Sequence, residues 1–389
     1  MQRRKGIVIV LWATVLLVAG CTGGSGSQPV SANVIASMSG EADAAYARAY
    51  APMAFSFPRD HGAHPEYKTE WWYYTGNLTA DDGSEFGYQF TIFRNSLAPG
   101  LEERTSAWAT NQVYMGHFAL TDVSRDRHFS FERFGRGGGG LAGATDDPAY
   151  SVWLDDWSVT ESEPGVQQVI AGGQSDAGPV SVALTLRESG PPLLHGEQGL
   201  SQKGPEPGNA SYYYSLVGLE SSGVVTAFNR SLAVTGVSWM DHEFGTSALG
   251  AGAVGWDWFS LQFDNGAGLM FATIRGEDGA AAAEFEGTLR HPDGRVETVR
   301  TSDLVVEPTG RWTSPRTGAD YPSGWQVRLP AQQLEFTVTP LVDDQEMQVS
   351  FVYWEGAVAV EGTYAGAPVT GRGYVELTGY AAGSGDYQR

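Results

Sequence analysis

FPRDHGAHPEYKTEWWYYTGNL, residues 57–78, passes from a segment broken by Gly and Pro directly into four consecutive aromatics, Trp71-Trp72-Tyr73-Tyr74. Aromatic residues at this density suit a pleated, half-buried strand. An Asp82-Gly83 pair follows, then a second β-rich run closing at Ile92-Phe93-Arg94. Together these spell a hairpin, with Gly supplying the φ > 0 position a tight connection needs. In a strand Trp71 and Tyr73 face opposite to Trp72 and Tyr74, so one set is expected to fill a core and the other to line a seam. The same stretch carries Asp60, His61, His64, Lys68 and Glu70. Its His-x-x-His spacing lies in broken chain, with no helix face to align the two rings, so no metal site is expected. A hydrogen-bonded cluster of these five residues across a domain seam is the structural reading. Asp60, His61, His64, Trp72 and Tyr74 are also carried as candidate ligand-binding residues.

The second half of the chain echoes the first. Asp241-His242 precedes Trp256-Asp257-Trp258-Phe259, an Asn265-Gly266 turn and a strand closing at Thr273-Ile274-Arg275. The two Asp-His pairs and the two closing arginines are each separated by 181 residues. Further turns at Asp278-Gly279 and Asp293-Gly294, with 51 glycines and a 12% aromatic fraction, mark an all-β chain. Roughly 340 residues of such structure exceed one β domain, which usually stops near 200–250. Two domains are therefore expected, at 50–235 and 236–389. The glycine run at 135–140 reads as a loop inside the first, because Val152-Trp153-Leu154 and Trp157-Ser158-Val159 continue the strand pattern. Arg94 and Arg275 are expected as strand-terminal surface charges.

Residues 1–20 combine Arg3, Arg4 and Lys5 with an apolar run of 14 residues at 6–19, the layout of an export signal. That run is shorter than the ~20 residues a membrane-spanning helix needs. It leads through Val18-Ala19-Gly20 into Cys21, the single cysteine of the protein. The arrangement resembles a bacterial lipoprotein signal, which implies lipidation of Cys21 and attachment to the cell envelope: the outer membrane if there are two membranes, otherwise the outer face of the plasma membrane. Residues 21–40 read as a flexible tether, and 41–53 as a short helix. Removing the three basic residues of the leader takes the formal charge from −21 to −24. So acidic a chain excludes nucleic acid as a partner.

Four stretches carry a family resemblance: the opening one, SWMDHEFGTS at 238–247, GWDWFSLQFDNGAGLMFATIR at 255–275 and YWEGAVAVEGTYAGAPVTGRGYVELTGY at 353–380. In this order they resemble the AttH/CrtC-like superfamily over essentially 55–380. That superfamily includes carotenoid 1,2-hydratases, fungal cyclases and bacterial lipoproteins called predicted secreted hydrolases. The resemblance implies two tandem lipocalin-like antiparallel β-barrel domains packed together, a ligand pocket near their interface, and chemistry without metal or organic cofactor. It also implies an accessory partnership with an export-type ABC transporter.

In an extended Ser238–Gly245 segment, Trp239, Asp241 and Glu243 share one face and Met240, His242 and Phe244 the other. A carboxylic acid beside aromatic rings suits protonation of an alkene. Burial keeps the proton on the acid, and ring faces stabilise the resulting cation by about 0.5–2 kcal/mol per contact. The resemblance maps the acid of the hydratases to Asp241 and a neighbouring aromatic to Trp239, with His242 carried as a further catalytic candidate. Alternatively, Asp241 pairs with His242 or an arginine and serves structure. The hydratases place a histidine and a tryptophan about 27 residues before this motif. Here that region is Tyr212-Tyr213-Tyr214-Ser215, and the nearest upstream histidine is His195. Tyr212, Tyr214, Trp256 and Trp258 complete the candidate ligand-binding set.

No Gly-x-Ser-x-Gly elbow and no phosphate-binding glycine loop occur in the chain. Two functions remain. One is a lipid-anchored envelope protein that holds a hydrophobic or amphiphilic small molecule between its domains. The other is a cofactor-independent hydro-lyase, isomerase or cyclase of an isoprenoid-like substrate, with Asp241 as proton donor.

Overall fold

The computed structural model describes residues 45–100, 106–246 and 252–381. The leader, Cys21 and the tether lie outside them. No helix among the described residues is long and apolar enough to cross a membrane.

The aromatic run forms the strand Thr69–Ala80, joined by the Asp82-Gly83 turn to Glu85–Ser96. Gly83 takes φ +83°, and Gly266 takes φ +86° in the equivalent turn of the second half. From this hairpin the first sheet continues on one side through Gln112–Asp122 to Arg127–Arg136. On the other side Arg230–Gly245 pairs with Thr69–Ala80, then Ala210–Ala227 with Arg230–Gly245, and the order runs on to the edge strand Ala142–Thr145. These 13 strands curl into a nearly closed barrel. The second sheet has 11 strands and forms a half-barrel. At its centre Ala253–Phe263 lies between Gly268–Gly276 and Ala367–Leu377, which in turn pairs with Val352–Tyr364. The chain thus folds as two lipocalin-like β units.

The alternation expected of the aromatic run holds. Trp72 and Tyr74 are fully buried in the core of the first barrel, with Phe90, Ile92 and Trp157. Tyr73 and Trp71 point outward into a separate apolar cluster with Tyr213, Trp239 and Trp258, where the two barrels meet. In the second unit Phe259 fills the interior against Phe271 and Trp325, and Trp258 turns to the seam.

Two expectations shift. The boundary expected at 235 falls within Arg230–Gly245, which is hydrogen-bonded on both edges inside the first barrel and cannot open the second. The change of sheet comes between Gly245 and Ala253. The helix expected at 41–53 is absent from its described part, 45–53. There Tyr46 donates to the Ser96 carbonyl, Ala47 N–H to that of Glu66, and Ala49 packs with Ala210, Tyr212 and Phe244. These tertiary contacts override a weak helical propensity.

The barrels approach closely at Gly87, where an added Cβ would overlap that of Ala357 on the facing sheet. Gly87→Ala is therefore expected to separate the seam and lower stability by about 1–3 kcal/mol. A urea denaturation midpoint equal to the wild type would contradict this packing.

Candidate active site

The strand Arg230–Gly245 presents Asp241 outward because its flanking residues, Met240 and His242, are fully buried in the barrel interior. Asp241 lies opposite Tyr73 on one neighbouring strand and Ser215 on the other. It opens onto a cavity of about 110 Å³ between the two sheets. That is room for roughly three to four waters at ~30 Å³ each, or for one branched end of a larger molecule. The walls are aromatic: Trp71, Tyr73 and Tyr213 from the first barrel, Trp256 and Trp258 from the second. Trp258 meets Tyr73 edge to face, with ring centroids 5.3 Å apart.

Asp241 accepts a hydrogen bond from Trp239 Nε1 at 2.8 Å and a short one from Ser215 Oγ. Burial nevertheless dominates and pushes its carboxyl up to about 7, with help from the nearby Glu243. Behind Ser215 stands His195, whose Nε2 lies 2.6 Å from Ser215 Oγ and whose Nδ1 lies 2.8 Å from Thr288 Oγ1. Burial and the Lys203 charge hold that imidazole well below its usual range, so it is neutral. The nearest upstream histidine in sequence is therefore one hydroxyl away from the acid. The sequence separation of 20 residues between His195 and Ser215 conceals this.

Two more acids line the same cavity from the second barrel, Glu355 and Glu376. They are cross-strand partners, and Tyr73 Oη–H donates to Glu355 Oε2 at 2.8 Å. Burial, then the Glu376 carboxyl, pushes Glu355 well above its usual range, and burial with the nearby Asp241 and Glu243 carboxyls raises Glu376. Lys203 sits against the Glu243 carboxylate at 2.7 Å and over the rings of Tyr213 and Phe285.

These raised acids set a sign for stability against pH. A carboxyl whose folded pKa exceeds its unfolded one gives stability that is complete below the ordinary carboxylate range and lost as pH climbs through the folded value. For Asp241, from 3.8 to about 7, that is on the order of 4 kcal/mol. The thermal midpoint should fall between about pH 4 and pH 7, and Asp241→Asn should flatten part of that fall. A midpoint that rises over this interval in both proteins would contradict the assignment.

The polar cluster of the opening stretch exists but stands elsewhere, at one end of the first barrel and away from the seam. Glu70 is its centre: its carboxylate accepts from Arg94 Nε at 2.7 Å and meets His64 Nδ1 at 2.8 Å and His242 Nε2 at 2.9 Å. Burial opposes the charge, but the Arg94 cation and the histidine bonds outweigh it and hold Glu70 well below its usual range. His64, with bonds to Asp60 and Glu70 overcoming burial, is pushed up to about 9. Ligand atoms of His64, Glu70 and His242 lie within 4.8 Å of one another, yet the Arg94 guanidinium already takes the cation's place. Arg94 is thus no surface charge, and Arg275 is likewise bonded to Asp257 at 2.8 Å.

The placements sort the candidate residues. Asp241, Trp256 and Trp258 line the cavity, and Trp239 holds Asp241 from behind. His242 points into the first barrel, where its Nδ1 lies 2.9 Å from Tyr214 Oη. His61 Nδ1 reaches the same hydroxyl at 2.6 Å, and burial pushes its pKa down to about 3. Trp72 stacks on His242, and Tyr74 donates to Gln167. Tyr212 donates to the Ala51 carbonyl outside the cavity. Asp60, His61, His64, Trp72, Tyr74, Tyr212 and Tyr214 thus do not reach the cavity, because period-two alternation turns them to the wrong face or places them at the barrel end. Tyr213, the middle tyrosine, faces it instead. The Asp-His echo also resolves differently. Both pairs belong to the first barrel, and the register that sets Tyr73 opposite Asp241 sets Trp258 opposite Glu376. Glu376 is the counterpart of Asp241.

The fold and site define a double lipocalin-like β protein with a buried-acid cavity at its seam. The chain belongs to the AttH-like family, whose model matches residues 48–380. A candidate AttH from Nitrosomonas europaea is 35% identical, with a TM-score of 0.76 over 86% of this chain and 100% of that one. Kievitone hydratase from Nectria haematococca shares the fold at 14% identity, with a TM-score of 0.64 over 85% of this chain and 95% of that one. No curated protein matches the sequence.

Proposed function

We propose that the protein is a cofactor-independent enzyme that protonates a carbon–carbon double bond of an apolar, isoprenoid-like molecule, leading to hydration, isomerisation or cyclisation. One observation carries the reading: Asp241 is a buried acid poised near neutrality at the wall of an aromatic cavity. An acid with its pKa near the working pH transfers protons most effectively. The faces of Trp71, Trp256 and Trp258 suit the cation that protonation creates. Ser215 and His195 fix the orientation of the carboxyl from behind. Likeness of fold to a hydratase supports the same class by analogy. The proposal includes export through residues 1–20 and envelope attachment by lipid on Cys21.

Incubation with geraniol in deuterated buffer tests this reading. Deuterium at an alkene carbon of geraniol, detected by mass spectrometry, is expected. Absence of deuterium, with geraniol bound, would favour the second reading, a binding protein accessory to an ABC transporter, which the lipoprotein-like leader supports.

A further inference from the structure

The cavity contains more acid than a single proton donation needs. Glu355 and Glu376 sit on adjacent strands as direct cross-strand partners, the first buried and the second half-buried, and both line the wall shared with Asp241. Partners so placed have Cβ atoms about 4.5–5.5 Å apart, and two anions at that distance without a cation do not coexist. Lys203, the basic residue among those lining the cavity, is engaged with Glu243. The other groups facing the pair are Asp241 and the hydroxyls of Tyr73, Tyr353 and Tyr374, which burial keeps neutral.

We propose that Glu355 and Glu376 share one proton, and that the ionised member of the pair is the proton acceptor for the reaction Asp241 begins, an assignment that rests on the Asp241 reading. Asp241 gives its proton to one alkene carbon; the π pair becomes the new C–H bond, and the adjacent carbon becomes the cation. In hydration, a water oxygen forms the C–O bond with its lone pair and loses a proton to the glutamate pair. In isomerisation, the pair removes a proton from the carbon next to the cation, and that C–H pair becomes the new double bond. Either way the glutamate pair ends with two protons and Asp241 with none, and return of one proton through water resets the site. Tyr73, bonded to Glu355, orients the pair. The acid thus comes from the first barrel and the base from the second, at register-equivalent positions.

Glu376→Gln and Glu355→Gln, with geraniol in deuterated buffer, separate the two halves of this reaction. The expected result is that each variant still exchanges deuterium into the alkene while product forms at least about a hundredfold more slowly. Wild-type product formation in both variants would overturn the proposal. Neither exchange nor product in the wild type would count against the Asp241 reading, and the shared proton is then judged by itself through the carboxylic-acid C=O stretch in infrared titration. A band that persists in the wild type above about pH 7 and is lost at lower pH in Glu376→Gln supports the pair. Two glutamates that both ionise in the ordinary carboxylate range overturn it.

Discussion

Asp241→Asn is expected to lower turnover of an alkene substrate by about a hundred- to ten-thousandfold, the usual weight of a general acid, while leaving ligand affinity within tenfold of the wild type. Asparagine keeps the shape and still accepts from Trp239 and Ser215, the two groups that hold Asp241 in place. What it cannot do is supply the proton. An affinity loss beyond tenfold would show that the carboxyl helps to hold the ligand, and unchanged turnover would remove Asp241 from the chemistry. The pairing with Ser215 and His195 sharpens the expectation. His195→Ala should shift the pH profile of turnover through the orientation of Asp241 and should leave a measurable rate, because the imidazole touches Ser215 and does not line the cavity.

Arg94→Leu is expected to destabilise the first barrel by about 3–5 kcal/mol, the cost of breaking a buried ion pair by removing one partner, with the His64 imidazole left as the remaining cation on Glu70. Glu70 is fully buried, and Arg94 is the only guanidinium bonded to it among the described residues. Arg94 also donates to the carbonyls of His64 and Tyr67, so the variant loosens the segment that caps the barrel. Replacing both partners, with Glu70→Gln added to Arg94→Leu, should recover part of the loss, because the buried carboxylate deprived of its guanidinium is gone. Urea denaturation measures both. A change of less than about 1 kcal/mol in the single variant would contradict the account of the cluster as a buried ion-pair network.

The hairpin was legible because Trp71-Trp72-Tyr73-Tyr74 and Asp82-Gly83 are local signals: alternation and turn chemistry need no knowledge of distant chain. The second hairpin repeated them, so two β units followed. Asp241, Trp239 and Glu243 were legible as one face for the same reason. What stayed hidden depends on which face of each strand meets the other barrel. Trp72 and Tyr74 differ from Trp71 and Tyr73 in nothing local, and only the packing of Trp258 against Tyr73 decides between the sets. The barrel boundary was misplaced because Ser238–Gly245 closes the first sheet by pairing with strands far away in sequence. Glu355 and Glu376 did leave a trace, each an acid set among apolar residues, in Tyr353-Trp354-Glu355-Gly356 and Tyr374-Val375-Glu376-Leu377. A charge placed where a hydrophobic residue is expected is a functional signal when it stays buried.

The cavity is a shared product of both barrels, and its chemistry depends on keeping protons on acids that water would strip of them. Carbon-13 NMR of the aspartate side-chain carboxyls, titrated in the wild type and in Asp241→Asn to assign the resonance, measures that directly. A carboxyl that titrates near pH 7 and is missing from the variant is expected; a resonance for Asp241 that titrates near the ordinary value of about 4 would contradict a buried, protonated acid at the seam.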